Sequence, residues 1–286
     1  MGGNKGRKLE FLMAEAQHMG ATTVVTCGAA QSNFVRQLGA ACAMLGMKCV
    51  AAVMDLPYAD SGSGSPAPLA GRGLGGGARG GNLLLDHLLG VELHRFPDAD
   101  WEILNGHAEA LALRAEAHGE RVYRIPIGGS SPLGAYGFVV AAREVAASEF
   151  DFIVTPCSSG STHAGLAHAF HGSSTRVIGV ACDPEPEIME DLIRLVNGLD
   201  ELTGLAHGLT EADFDFRLEW AGEAYGIPSP EGEAALERLA RTEGIFLDPI
   251  YSAKAFAGLL ALAESKQIGG KVVFWHTGGT PALFAE

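Results

Sequence analysis

The chain has 286 residues, 20 of them Lys or Arg against 34 Asp or Glu, for a formal net charge of -14, and 47% of it is apolar. That is enough for a real core and two packed lobes, and the acidic excess repels nucleic-acid phosphates and anionic membranes at long range. No apolar run approaches the ~18 residues of a membrane span, and Met1-Gly2-Gly3-Asn4-Lys5 lacks the apolar core of an export signal. A cytoplasmic protein without nucleic-acid or membrane partners is expected. Cys27, Cys42, Cys49, Cys157 and Cys182 are odd in number and include no Cys-x-x-Cys. They read as reduced, buried thiols and not as a disulfide framework or zinc knuckle.

In chain order, the pattern predicts a helix over 9–19, a strand over 23–27, a helix over 33–45 and a strand over 48–54. A Gly/Pro/Ser-rich segment, 61–81, follows. Its Gly71-Arg72-Gly73-Leu74-Gly75-Gly76 is a formal GxGxxG, but it stands well beyond the nearest strand and reads as a surface insertion. Next come a strand over 91–96, a helix over 101–118, a strand over 122–125, a helix over 136–147 and strands over 152–157 and 176–182. A helix over 231–243 and a strand over 271–275 close the chain. Such alternation predicts an α/β protein with two open, twisted, mostly parallel sheets and helices on both faces.

Chemistry enters first at Lys5. With a helix starting near Asn4, residues Lys5, Leu9, Leu12, Met13 and Ala16 form one stripe, so the lysine points where the leucines point. Desolvation favours its neutral amine, the form that attacks a carbonyl to make a Schiff base. Alone, Lys5 would read as a terminal lysine snorkelling to water. Arg7 and Lys8 fall on the far side and the flank and read as solvated charges.

Three loops share one layout, an apolar strand followed by a Gly/Ser/Thr-rich turn and a helix: residues 27–33, 158–162 and 276–281. Ligands bind beyond the carboxyl ends of strands in open α/β sheets, so all three can face one cavity. Ser158-Ser159-Gly160-Ser161-Thr162 offers backbone N–H groups, hydroxyls and a helix N-terminus running from His163 to a phosphate, with Gly160 allowing close backbone approach. No Gly-Lys-Ser/Thr follows, which argues against a nucleoside triphosphate. A phosphate cradle together with an inward lysine points to pyridoxal 5'-phosphate. His163, His168 and His171 lack metal-ligand spacing and read as packing or surface residues, so no metal is expected.

Gly2-Gly3-Asn4-Lys5-Gly6-Arg7-Lys8-Leu9-Glu10, Gln31-Ser32-Asn33, Gly81-Asn82-Leu83-Leu84-Leu85-Asp86, Ile127-Gly128-Gly129-Ser130-Ser131, Leu247-Asp248-Pro249-Ile250-Tyr251 and His276-Thr277-Gly278-Gly279-Thr280-Pro281 are six motifs spread over essentially the whole chain. In that order they resemble the D-cysteine desulfhydrase and 1-aminocyclopropane-1-carboxylate (ACC) deaminase family of fold-type II, tryptophan synthase β-like pyridoxal-phosphate enzymes. The resemblance implies that Lys5 carries the cofactor, that Asn33 bonds its phenolic oxygen and that Ser158, Ser159, Gly160, Ser161 and Thr162 hold its phosphate. It also implies that Ser32 and Gln31, beside Asn33, receive the substrate carboxylate, that Tyr251 stacks on the ring and that Tyr225 reaches the substrate. Ser252 and Thr277 stand where deaminase members have Glu and Leu. Hydroxyls beside the pyridine nitrogen give a weaker electron sink than a carboxylate, which suits loss of a sulfur leaving group better than ring opening.

The expected reaction is β-elimination from a cysteine-like amino acid, with L-cysteate sulfo-lyase, then ACC deaminase, as rivals in the same class and a non-catalytic relative as the rival outside it. Two lobes are expected, 1–117 carrying Lys5 and 118–286 carrying the phosphate loop, with the cofactor between them and a homodimer as the assembly. Members of the family carry a further segment before the lysine motif, including Pro-Thr-Pro-Leu, so this chain is expected to be N-terminally short. A helix whose lysine lies in its first turn is then expected to fray. Phe34 also departs from the family, which usually has His after the Gln-Ser-Asn motif.

Overall fold

The computed structural model describes residues 3–54, 80–97, 100–145 and 150–285. They fall into two compact units, Leu12–Gly129 with Pro281–Glu286, and Ser130–Thr280 with Met1–Phe11. Segment 61–81, including the GxGxxG of 71–76, lies outside the described residues except for its last two.

The Leu12–Gly129 unit contains β1 (Thr23–Ala29), α2 (Asn33–Leu45), β2 (Lys48–Met54), α3 (Gly81–Leu88), β3 (Glu92–Phe96), α4 (Trp101–Ala117) and β4 (Val122–Arg124). The helix before them, α1 (Lys5–His18), begins in the other unit. The sheet order is β3-β2-β1-β4, every pair parallel, with β1 and β2 in register from Thr23↔Lys48 to Ala29↔Met54. All of β1 and all of β2 beyond Lys48 are buried, the condition of strands covered by helices on both faces. Val25, Val50 and Met54 pack with Leu104 and Leu111 of α4, each such side chain contributing ~1.5–3 kcal/mol when fully buried. Phe34, in place of the usual His, is 1% exposed, and its ring packs over Gly129, where a Cβ would lie 2.7 Å from it.

The Ser130–Thr280 unit contains α5 (Pro132–Ala141), β5 (Phe152–Cys157), α6 (Ser161–Phe170), β6 (Arg176–Ala181), α7 (Ile188–Thr203), β7 (Asp215–Arg217), α8 (Pro230–Glu243), α9 (Ser252–Glu264) and β8 (Val272–Phe274). Its sheet, again all parallel, runs β7-β6-β5-β8. The sequence gives no sign of β7, an edge strand of three residues of which two are charged.

The division differs from the expected 1–117 and 118–286: Lys5 belongs with residues 130–280. Backbone contacts explain why. Gly3 bridges Gly278 in antiparallel fashion and the Asn4 N–H donates to the Thr277 carbonyl at 3.0 Å. On α5, a Cβ at Gly137 would come within 2.2 Å of the Arg7 carbonyl, so glycine is what lets α5 press against the first turn of α1. The predicted stripe is present, with Leu9, Leu12, Met13 and Ala16 at most 5% exposed.

Candidate active site

Lys5 opens α1 and is partly buried. Burial lowers its pKa below the ordinary lysine value, while Cys182 and Asp248, within electrostatic reach, pull the other way. Lys8 corrects the sequence reading, because it is 1% exposed and not a solvated charge. It lies three residues from Lys5 and four from Leu12, so it shares the buried stripe, whose arc spans ~100°. Its amine sits 6.0 Å from the Phe138 ring centroid. Burial first, then the neighbouring Lys5, holds its pKa well below the usual range. Two amines so close under the surface favour a bound anion that would let both carry charge.

The loop 158–162 joins β5 to α6 beside them. Asn4 donates its side-chain amide to Thr162 Oγ1 at 3.0 Å, tying the residue before Lys5 to the start of α6. Ser130 Oγ donates to the Ser159 carbonyl. Ser161 Oγ is buried without a hydrogen-bond partner, and the opening N–H groups of a helix have no intrahelical acceptor. Gly160 takes φ +80, and a Cβ there would meet Leu192 and Leu195, on the core side. Glycine is thus required by backbone conformation and not, as the sequence suggests, by close approach of a phosphate. His163 is fully buried edge-on to Phe214, and a Cβ at Gly179 would strike its ring. His168 is 1% exposed and bonds Asp200 at 3.0 Å. Among the described residues no cluster of three or more His, Cys, Asp or Glu is arranged to hold a metal.

The turn before α9 is organised by Asp248, 1% exposed. Its Oδ1 accepts from the N–H groups of Ile250 at 3.0 Å and Tyr251 at 2.7 Å, and its Oδ2 from Ser252 N at 2.9 Å and Ser252 Oγ at 2.5 Å. Ser252 Oγ in turn accepts from Asp248 N at 2.8 Å. The single hydroxyl hydrogen of Ser252 is therefore committed to Asp248, which leaves none for a ring nitrogen, contrary to the expectation for this residue. Gly279, at φ +102, makes room for this carboxylate, since a Cβ there would lie 2.7 Å from Asp248 Oδ2. Thr277, in the same loop, is partly buried and accepts through its carbonyl from Asn4 N. Tyr251 and Tyr225 share a hydrogen bond between their hydroxyls, with ring centroids 6.0 Å apart. Burial pushes Tyr225 up to about 12 and Tyr251 well above the ordinary phenol value, so both keep their protons at neutral pH.

In the other unit, Asn82 at the start of α3 fixes the Gln31-Ser32-Asn33 turn. Its N–H donates to Gln31 Oε1 at 2.8 Å, and its Nδ2 donates to the Gln31 carbonyl at 2.8 Å and Asn33 Oδ1 at 3.0 Å. Asn82 Oδ1 accepts from Arg36 Nε at 2.9 Å. With its Oδ1 engaged by Asn82, Asn33 has its Nδ2 left as a donor to offer. Gln31 Nε2 is buried with no partner. Ser32 caps α2, Oγ accepting from Phe34 N and Val35 N at 3.2 and 3.3 Å, so its O–H stays available as a donor. Three donors on one turn are suited to a carboxylate or an oxyanion.

A parallel α/β fold, the partly buried Lys5 with the buried Lys8 beside it, and a helix N-terminus with an orphaned serine hydroxyl are the kinds of group that a phosphate-bearing aldehyde would need. The chain belongs to the pyridoxal-phosphate dependent enzyme family, which it matches over residues 1–278. Within that family it is closely related to a D-cysteine desulfhydrase of Yersinia enterocolitica (serotype O:8 / biotype 1B), 40% identical over 296 residues covering 100% of this chain and 84% of the relative. A D-cysteine desulfhydrase of Klebsiella pneumoniae (strain 342) is 38% identical over 295 residues with the same coverage. The crystal structure of an ACC deaminase homologue superposes with a TM-score of 0.85 at 32% identity, covering 99% of this chain and 82% of that one. An O-ureido-L-serine synthase, at 18% identity and a TM-score of 0.66 over 99% of this chain and 82% of its own, shares the fold. The protein is a pyridoxal-phosphate dependent enzyme of fold-type II, in the lyase group of D-cysteine desulfhydrases and ACC deaminases. Among the described residues no helix is long and apolar enough to cross a membrane.

Proposed function

We propose that the protein is a C–S lyase that converts a cysteine-like amino acid, D-cysteine in the first instance, with water, into pyruvate, ammonia and hydrogen sulfide. The observation that carries this reading is the match to D-cysteine desulfhydrases along the entire chain. When bound, pyridoxal phosphate supplies an aldehyde that condenses with amines and a ring that accepts the electrons left when an α-proton departs. Lys5 would hold it and, once released to its neutral form, take the α-proton; burial lowers the lysine's pKa in the direction this task needs. Lys8, Ser161, Thr162 and the N–H groups opening α6 would hold the phosphate, with Ser158, Ser159 and Gly160 shaping the turn. Asn33 would donate to the phenolic oxygen, and Ser32 and Gln31 would orient the substrate carboxylate. Tyr251 would lie against the ring, and the proton shared between the Tyr225 and Tyr251 hydroxyls would face the departing sulfur, which takes up a proton to leave as hydrogen sulfide.

With Ser252 committed to Asp248, Thr277 becomes the hydroxyl offered to the ring nitrogen. A neutral hydroxyl does not enforce a protonated ring, so the electron sink is weak and a good leaving group is required. On this reading ring opening of ACC, the activity suggested by the relative of known structure, is disfavoured. The test is a panel of D-cysteine, L-cysteine, L-cysteate and ACC given separately to the cofactor-loaded protein, with sulfide, sulfite, ammonia and keto acid measured in each. Sulfide and pyruvate in equal amounts from D-cysteine are expected. Faster release of ammonia from ACC than of sulfide from D-cysteine, or sulfite from L-cysteate as the main product, would replace this reading.

A further inference from the structure

Lys254, in the first turn of α9, is fully buried. Its ammonium donates to three main-chain carbonyls: Cys182 at 2.8 Å, Ala221 at 2.6 Å and Ala224 at 3.3 Å. An ammonium has three N–H donors, and all three are spent on carbonyl oxygens. Asp183 and Asp248 lie within electrostatic reach, yet neither is among its hydrogen-bond partners. A ring of main-chain carbonyls around one positive charge is the chemistry of a monovalent-cation site, in which carbonyl dipoles replace an ion's water shell.

The carbonyls come from two segments that follow the paired strands β6 and β7. Cys182 directly follows β6, while Ala221 and Ala224 lie in the irregular stretch 218–229 that leads to α8. Ala221 and Ala224 are 1% and 4% exposed; the Ala224 carbonyl also accepts from Ile227 N at 3.3 Å, while Lys254 supplies the buried Ala221 carbonyl with a donor whose loss would cost about as much as a lost hydrogen bond. Ala224 immediately precedes Tyr225, and Tyr251 stands three residues before Lys254. Gly222, in the same stretch, takes φ +77, a conformation that favours glycine, and lies against the lysine, a Cβ there coming within 3.4 Å of Lys254 Nζ.

We propose that the Lys254 ammonium is a built-in monovalent cation, a positioning residue that fixes the Tyr225 segment against the start of α9, and that the protein consequently needs no added potassium. The task given to the tyrosine pair rests on the proposed function; the cation replacement itself does not. Melting midpoints would be recorded for the wild type, Lys254→Met and Lys254→Ala in potassium, ammonium and choline chloride at equal ionic strength. The wild type should melt identically in all three. Lys254→Met, uncharged and filling the space, should fall by about 5 °C or more and ignore the cation, whereas Lys254→Ala should regain about 3 °C or more in potassium or ammonium over choline, the effect of restoring one good interaction in a chain this long.

A wild type stabilised by potassium, a Lys254→Met chain as stable as wild type, or a Lys254→Ala chain that shows no cation preference or stays unfolded in every salt would overturn the proposal. Sulfide release from D-cysteine in the same salts should follow the melts for Lys254→Ala. If the melts behave as stated while no variant or wild type releases sulfide, the lysine's role stands and the proposed function fails.

Discussion

Replacing Asp248 with alanine removes one side chain and strands four donors. The N–H groups of Ile250 and Tyr251, both half-buried, can turn to water. Ser252 cannot, because it is 0% exposed, and its N–H and hydroxyl both point at Asp248 Oδ2. At ~1–3 kcal/mol for each buried group left unsatisfied, the loss comes to ~3–5 kcal/mol, a large part of the ~5–15 kcal/mol that holds a typical protein folded. For a chain of this size that corresponds to a fall of roughly 10 °C in melting midpoint. Asp248→Asn keeps one oxygen for Ile250 and Tyr251 but sets an NH2 against Ser252 N, so about half the loss is expected. Circular dichroism melts of both variants without cofactor measure the effect apart from catalysis. An Asp248→Ala chain within ~1 kcal/mol of wild type, or an Asn variant as damaged as the Ala variant, would refute the claim that this carboxylate organises the turn.

Lys8→Met should leave the apolar stripe filled but lower retention of pyridoxal phosphate at least about tenfold, ~1.4 kcal/mol, measured by equilibrium dialysis; unchanged retention would remove Lys8 from the phosphate site. Asn82→Ala should raise KM for D-cysteine more than it lowers kcat, because it loosens Gln31 and Asn33; a kcat loss with KM unchanged would contradict this. Asp86 is fully buried, both carboxylate oxygens lack hydrogen-bond partners, and burial, against the opposing pull of Arg36, raises its pKa to about 7. The folded state thus binds the proton more tightly than the unfolded chain, and stability should fall as pH rises from about 4 towards about 8. Asp86→Asn should flatten that part of the pH–stability curve, and a parallel curve for the variant would show that the carboxyl is not the cause.

Much of the fold is legible in the sequence. The predicted bounds 33–45, 48–54 and 152–157 coincide with α2, β2 and β5, since apolar runs between turn residues mark buried strands whatever the tertiary partner. A single stripe along α1 puts Lys8 on the flank because it is narrower than the arc a buried helix covers. The grouping of Lys5 with residues 130–280 depends on the bridge to Gly278 and on room at Gly137, contacts made across the chain that no local period encodes. The family resemblance implies that Ser252 lies beside the ring nitrogen, whereas its hydrogen goes to a carboxylate four residues earlier; a Ser four places after an Asp at a helix start is the available signal. Lys254 gave none, because its partners are main-chain carbonyls.

The claim on which the account turns is that Lys5 is the amine that holds the cofactor. The protein, loaded with pyridoxal phosphate, would be reduced with borohydride, digested and sequenced by mass spectrometry. The reduced cofactor should be found on Lys5, leaving its buried neighbour Lys8 unmodified. Label on Lys8, or on Lys48 or Lys254, would contradict it.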